Sequence, residues 1–322
     1  IYTRLSSAAS DVYKRQLRNR SGFLKENNMP LCTLCPRNCR IDRSKTTGAC
    51  SVKGLKTAKA SLHFGEEPCI SGTDGRGAGT IFFSGCSLKC IFCQNMPISR
   101  DGYGKEITPE RLGEIMLELQ EKGAHNIDLV TPTHYADIIA DVLTSIKPRL
   151  HIPVVYNCGG YEKVETLKML DGLIDIYLPD FKYASPDLAR EYSSAPDYPS
   201  VAVKAIAEMY RQTGKVQVFE NGMMKKGVLV RHLVLPGCRH DSMKVLDILK
   251  ATVPVSDIRI SLMRQYTPCG KALEIKNLSR KLTTFEYNSV TDYAAQLGFD
   301  GYTQDKESAT FEYTPEWDFE GI

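Results

Sequence analysis

Nowhere does the chain carry the roughly 18 consecutive apolar residues of a membrane-spanning helix, and no charged-then-apolar leader ends in a small-residue cleavage site. Those two absences point to a cytosolic protein with no membrane partner. Long runs of one charge are missing too: 41 Lys plus Arg oppose 38 Asp plus Glu, leaving a net +3 spread along 322 residues. A nucleic-acid partner or an acidic membrane surface is therefore not expected. Internal repeats and low-complexity segments are absent as well. With 42% hydrophobic and 25% charged residues, the composition is that of a globular protein able to bury a sizeable core. Cysteine, by contrast, is plentiful. Eleven cysteines, clustered in a chain too large to need disulfide staples, read as reduced, metal-binding thiols.

The first residues, "IYTRLSSAASDVYKRQ", do not begin with Met, have no useful apolar period and resemble translated linker sequence. Residues 1–28 are expected to be a non-native or untranslated leader, with Met29 as the natural start. A Cys-rich extension is expected over 29–78, a barrel over 79–300, and an aromatic, acidic tail over 301–322 that covers an open barrel edge or stays mobile. Within 79–300, short β-branched or aromatic runs ("TIFF", "IDLV", "PVVY", "IYLP", "VLVRHLVLP", "IRISLM") alternate with segments of helical spacing. One of these places Met116, Leu117 and Leu119 in the core. Strands apolar on both faces imply a parallel sheet covered by helices, and six such units predict an α/β fold, a partial (β/α)6 TIM-like barrel. Asn221-Gly222 predicts a hairpin just before the fifth strand. Polar clusters follow each strand, on the face where βα loops build active sites: "TPTHY", "NCGGY", "DFKY", "GCRH" and "RQYTP".

Chemistry concentrates in "SGCSLKCIFCQN", residues 84–95, where Cys86, Cys90 and Cys93 have no fourth cysteine nearby. An iron-sulfur cube normally takes four thiolates, so three leave one iron with open coordination. Structural zinc, which needs a fourth ligand from elsewhere in the chain, and a plain electron-transfer cluster are the alternatives. Earlier in the chain, "CTLCPRNCRIDRSKTTGAC" gathers Cys32, Cys35, Cys39 and Cys50 within nineteen residues. Four thiolates suit a closed tetrahedral zinc site or a fully ligated auxiliary iron-sulfur cluster. Cys158 lies on the expected active face; Cys69, Cys238 and Cys269 read as core or loop residues.

The pattern C-x3-C-x-aromatic-C, with Phe92 as the aromatic, resembles the radical S-adenosylmethionine (SAM) superfamily. Together with "LCTLCPRNCRIDR", "EEPCISG", "YLPDFKY", "VRHLVLPG" and "LMRQY", it is similar to the iron-sulfur proteins related to pyruvate formate-lyase activating enzyme. That resemblance implies a 4Fe-4S cluster on Cys86, Cys90 and Cys93, with SAM chelating the free iron. Reductive cleavage of SAM then yields a 5'-deoxyadenosyl radical that abstracts hydrogen, the hard chemistry belonging to the cofactors. A low-potential electron donor such as flavodoxin or ferredoxin is implied, and a glycyl radical enzyme as the partner.

Residue by residue, Thr131, Thr133 and His134 stand where the activating enzymes carry a Gly-Gly-Glu loop, without its carboxylate. Asn157 opens the turn after the third strand. Asp180 and Lys182 match an Asp-Leu-Lys segment that helps place SAM, Arg231 matches a SAM-contacting arginine, and Tyr266 replaces a His. These departures keep a small molecule or another macromolecule open as substrate, and a non-enzymatic iron-sulfur electron carrier remains the alternative to an enzyme. Read without the resemblance, Asp180 and Lys182 also suit an exposed ion pair, Arg231 the partner of a helix carboxylate, and His134 and His232 structural histidines.

Overall fold

A computed structural model describes residues 31–310 and 314–322. The expected leader 1–28 and Met29 lie outside these described residues. Ten strands are formed: β1 (Lys56–His63), β2 (Ala78–Phe83), β3 (Lys105–Glu106), β4 (Ile127–Val130), β5 (Val154–Cys158), β6 (Ile176–Pro179), β7 (Gln217–Val218), β8 (Met224–Leu233), β9 (Arg259–Met263) and β10 (Gly301–Thr303). They make one open sheet in the order β10, β9, β8, β6, β5, β4, β2, β1, β3, with β7 paired to β8. The six strands expected from the sequence, β2, β4, β5, β6, β8 and β9, are parallel neighbours. The fold is thus mixed α/β, a partial TIM-like barrel that does not close. β1 is antiparallel to β2, and β10 adds a parallel edge strand beyond β9, so both strands outside 79–300 belong to the same sheet.

Period-two alternation explains why these runs are apolar on both faces. Ile81, Phe83, Leu129, Tyr156, Tyr177, Val228 and Val230 point outward into the main core under the helices. Inward-facing Val155, Ile176, Leu178 and Leu229 pack with Cys69 and Ile70, which the short helix Pro68–Ser71 inserts into the lumen. Above that apolar floor the same inward positions turn polar, at Asn157, Asp180, Arg231 and Ser261, which line a cavity. The register pairs Val130 with Asn157 and Cys158 with Pro179, so the strands end flush and deliver their loops to one rim.

The outer helices follow ordinary start signals. Helix Pro109–Glu121 has Pro in its first turn and Thr108 as cap, accepting from Arg111 N–H, and buries Met116, Leu117 and Leu119 as expected. Each such side chain contributes about 1.5–3 kcal/mol of burial. The Asn221-Gly222 hairpin forms as β7 and β8, with Gly222 at a φ of 81° that a glycine adopts without penalty. The described part of the tail covers an edge: Trp317 packs on Phe82 at 5.4 Å, and Glu320 O accepts Ala60 N–H of β1 at 2.8 Å. Among the described residues no helix is long and apolar enough to cross a membrane.

Candidate active site

The loop after β2 is held from several sides before it reaches its cysteines. Gly85 has a φ of 91°, and a Cβ there would lie 2.7 Å from Cys50 O and 2.9 Å from His134 Nε2. His134 Nε2 and the Tyr135 hydroxyl both reach Ser84 O, at 2.8 and 3.1 Å. Further along, the Arg100 guanidinium caps the carbonyls of Lys89 and Cys90, and Lys89 N–H and Ile91 N–H bond to the backbone of Ser193 and Tyr192. So fixed, Cys86, Cys90 and Cys93 face one cavity of about 600 Å³.

Their surroundings disfavour free thiolates. Burial pushes the Cys86 thiol up to about 12, and neighbouring Cys90 and Cys93 add to it. Cys90 is also raised by burial, against the pull of Lys182. Its sulfur lies 3.0 Å from Ser193 Oγ, itself 2.8 Å from the Tyr183 hydroxyl, and Cys93 Sγ lies 3.3 Å from Ser99 Oγ. Raised thiols at Cys86 and Cys90, with Cys93 beside them, are a donor set suited to a bound metal, which favours the thiolate. Among the described residues, no three His, Cys, Asp or Glu gather closely enough for a single ion. Soft sulfurs spread around a cavity fit a multi-iron cluster, which binds each thiolate at a different iron, better than one tetrahedral zinc.

Seven of the expected SAM-binding positions line the same cavity as the sulfurs: Phe92, Thr131, Asn157, Asp180, Lys182, Arg231 and Tyr266. Lys182 Nζ donates to Asp180 Oδ2 at 2.6 Å, and the pair is mostly buried rather than exposed. Burial works against the ammonium, but Asp180 and Cys90 outweigh it and raise its pKa, so the site keeps a positive charge beside the sulfurs. Tyr266 presents its ring to Phe92 at 5.9 Å, while its hydroxyl donates to Leu278 O at 2.6 Å. It forms wall, with no free hydroxyl to replace the histidine of the activating enzymes.

Arg231 also lines the cavity, but its guanidinium is engaged by two carboxylates. Nε donates to Glu67 Oε1 at 2.9 Å and NH2 bonds Glu67 and Glu66. Glu67 occupies the N-cap position of helix Pro68–Ser71 without a side-chain capping bond, and its carboxylate goes to Arg231 instead. Burial pushes the Glu67 carboxyl up to about 7, with Asp180 adding to it against a hydrogen bond from Ser261. Glu66 and Glu67 are cavity residues that the sequence reading passed over, although "EEPCISG" was in view.

Thr133 and His134 are not brought to the cavity. Thr131 has a φ of 61°, and the 3-10 turn Thr133–Tyr135 that follows buries both side chains elsewhere. His134 is tied to Ser84 O, and burial, with Arg43 nearby, lowers its pKa to about 3. His232, also buried, has Nδ1 2.6 Å from Phe181 O, and both histidines are structural. Thr133 Oγ1 donates to Glu162 Oε1 at 2.7 Å, and the Tyr156 hydroxyl donates to Glu162 Oε2 at 3.2 Å.

Burial raises Glu162 from 4.5 to about 7. Its folded form binds a proton more tightly than the unfolded chain, so stability is highest below pH 4.5 and falls as pH climbs to about 7. Glu162→Gln removes that penalty. It is expected to raise stability by about 1–3 kcal/mol at pH 8 and to add nothing at pH 4.5, read from urea midpoints at the two pH values. An equal gain at both would show that the carboxyl does not titrate in this window.

The front cysteines divide by burial: Cys35 and Cys50 are buried, Cys32 and Cys39 partly so. All four lie in the segment that packs behind the three-cysteine loop, where Cys50 O accepts Cys86 N–H at 3.3 Å.

Comparison with known proteins accords with this geometry. Residues 80–237 match the Radical SAM superfamily. A protein of Methanocaldococcus jannaschii described as uncharacterised is 27% identical over 291 residues, covering 86% of this chain and 78% of its own. Among solved structures, Streptococcus suis SuiB bound to precursor peptide SuiA aligns at a TM-score of 0.47 and 16% identity, over 68% of this chain and 46% of SuiB. The chain thus spans less than half the length of SuiB. A radical SAM methyltransferase from Sphaerobacter thermophilus aligns at a TM-score of 0.48 and 12% identity, over 70% of this chain and 66% of the other. With Cys86, Cys90 and Cys93 on the loop after its first parallel strand, the segment 80–237 is a radical SAM superfamily domain.

Proposed function

We propose that this chain activates a glycyl radical enzyme: it cleaves SAM reductively and removes hydrogen from a glycine of that partner. The observation that carries this reading is the meeting of Cys86, Cys90 and Cys93 with Asp180, Lys182, Asn157 and Thr131 around one cavity of about 600 Å³, a volume typical of cofactor sites. Cys86, Cys90 and Cys93 would hold a 4Fe-4S cluster, which when reduced would supply the electron for SAM cleavage. The chain's own groups position the rest. Lys182, kept charged by Asp180, offers a cation to the SAM carboxylate. Glu66 and Glu67, paired with Arg231, form a polar part of the wall, and Phe92 and Tyr266 provide an apolar part that excludes water.

The unclosed sheet supports a macromolecular substrate. His63 and Phe64 at the end of β1 and Tyr302 and Thr303 of β10 border the cavity from the two sides of the seam, with Ser308, Thr314 and Pro315 of the tail between them, so a peptide loop would enter beside the tail. Reduced flavodoxin or ferredoxin is the electron donor, and the cytoplasm, where thiols stay reduced, is the compartment. The test is anaerobic: the reconstituted, reduced chain is mixed with SAM and a glycyl radical enzyme from the same genome. One 5'-deoxyadenosine is expected per glycyl radical seen by electron paramagnetic resonance (EPR). 5'-Deoxyadenosine without that radical would move the substrate to a small molecule or another macromolecule. A reduced cluster that neither binds nor cleaves SAM would leave the electron carrier.

A further inference from the structure

Residues 32–50 contain neither helix nor strand, and what orders them converges on their cysteines. Cys32 N–H donates to Ile41 O at 2.8 Å and its carbonyl accepts Arg40 N–H at 2.9 Å, closing a loop around Cys35 and Cys39. Asn38 and Arg40 have φ of 45° and 50°, in the left-handed region that side chains other than glycine rarely occupy. Turns of this kind aim backbone N–H groups into a concavity that attracts negative charge. Here Asn38 N–H and Arg40 N–H are taken by the carbonyls of Cys35 and Cys32, and a sulfur is met by a later residue of the loop. Ala49 N–H donates to Cys39 Sγ at 3.3 Å. A Cβ on Gly48 would lie only 3.2 Å from Cys39 Sγ, so the backbone approaches that sulfur closely. Cys35 and Cys50 are 6% and 5% exposed.

This segment is fastened to the three-cysteine loop. Cys50 O accepts Cys86 N–H at 3.3 Å. The Arg37 side chain donates from Nε to Ser87 O at 2.8 Å and from NH2 to Ser193 O at 3.3 Å. Ser193 is the residue whose hydroxyl meets Cys90 Sγ. Lys89, between Cys86 and Cys90 in sequence, donates to Ser51 Oγ at 3.0 Å. A cysteine of one set is therefore joined to a cysteine of the other by covalent bonds and a single hydrogen bond.

We propose that Cys32, Cys35, Cys39 and Cys50 ligate a second iron-sulfur cluster, closed by four thiolates, which passes electrons to the cluster on Cys86, Cys90 and Cys93. The proposal rests on the radical SAM reading of the second trio. Each transfer moves one electron: a reduced low-potential carrier protein is oxidised, the second cluster is reduced, and it is reoxidised as the first cluster takes the electron. No bond is made or broken in the relay. Zinc, which has no redox chemistry and would draw its four sulfurs to roughly 3.8 Å from one another, suits the site less well. In neither cysteine set do three donors gather as one ion requires.

The full chain is reconstituted anaerobically with iron and sulfide beside the triple variant Cys86→Ala/Cys90→Ala/Cys93→Ala. About eight iron per chain are expected in the wild type and about four in the variant, which on reduction shows the EPR signal of the second cluster alone. In the fully reduced wild type that signal should be broadened by magnetic coupling to the neighbouring cluster. The converse variant Cys35→Ser/Cys39→Ser is expected to keep about four iron, with a signal that shifts when SAM is added. One zinc and no iron in the triple variant would overturn the proposal, as would a wild type holding four iron or two clusters without magnetic coupling. The iron count of the triple variant needs no SAM. A wild type that ignores SAM while that variant keeps its iron therefore defeats the radical SAM reading alone.

Discussion

Cys93→Ala is expected to lower 5'-deoxyadenosine formation by roughly three orders of magnitude or more, the equivalent of about 4 kcal/mol in the barrier. The loss is large because the site has nothing in reserve. Of the other donors that line the cavity, Cys158 is buried in β5 and His63 stands at the end of β1, while Glu66 and Glu67 are committed to Arg231 and Asp180 to Lys182. Ser99, 3.3 Å from Cys93 Sγ, is too hard a donor to replace a thiolate. The fold should be spared, because Cys93 is only partly buried and its neighbours in the loop are held by Arg100 and by backbone bonds to Tyr192 and Ser193. The measurement is 5'-deoxyadenosine yield after anaerobic reduction with SAM present, beside iron content and a thermal melt. A variant that melts like the wild type and still forms product at the wild-type rate would remove Cys93 from the site.

How far the site was legible follows from where each signal is stored. The three cysteines are local, seven residues apart from first to last, and spacing alone exposes them. The six parallel strands are local too, since a strand buried on both faces must be apolar at successive positions, as in "IYLP". Arg231 needs more, because its partner Glu67 is 164 residues away and nothing near "VRHLVLP" announces it. Thr133 and His134 failed to reach the cavity for a conformational reason. The positive φ at Thr131 redirects the chain, and a composition of polar residues after a strand does not encode that turn. The strands β1 and β10 were unread because pairing with a neighbour defines them more than their own pattern does. Helix Thr284–Leu297 was available: Thr283 and Glu286 form a capping box three residues apart, a sequence signal that went unused.

Gly160→Ala is expected to cost about 3–5 kcal/mol of stability, a fall of roughly 10 °C in Tm. Two terms add. At a φ of 74° a side chain pays about 1–2 kcal/mol for the left-handed conformation. The added Cβ would then lie 2.0 Å from Asp180 O and 2.9 Å from the Tyr198 hydroxyl, and a backbone carbonyl cannot swing aside as a side-chain end can. That carbonyl belongs to the strand end that places the Asp180 and Lys182 side chains, and the hydroxyl, from helix Tyr198–Thr213, braces it. Asp180 N–H donates to Cys158 O at 2.9 Å; the Tyr198 hydroxyl lies 2.9 Å from Asp180 O and from Gly159 O and accepts Lys182 N–H at 3.0 Å. Displacing them strains hydrogen bonds worth about 1 kcal/mol each. Gly159 is the internal control. Its added Cβ would meet Leu88 Cδ1 at 2.9 Å, the movable end of a side chain, and its backbone is not left-handed, so Gly159→Ala should cost about 1 kcal/mol or less. Thermal melts of the two variants decide the matter: equal losses would mean that packing against Asp180 does not fix this turn. A loss confined to Gly160 would tie the stability of the turn to the same two residues that hold a positive charge beside the cysteine sulfurs.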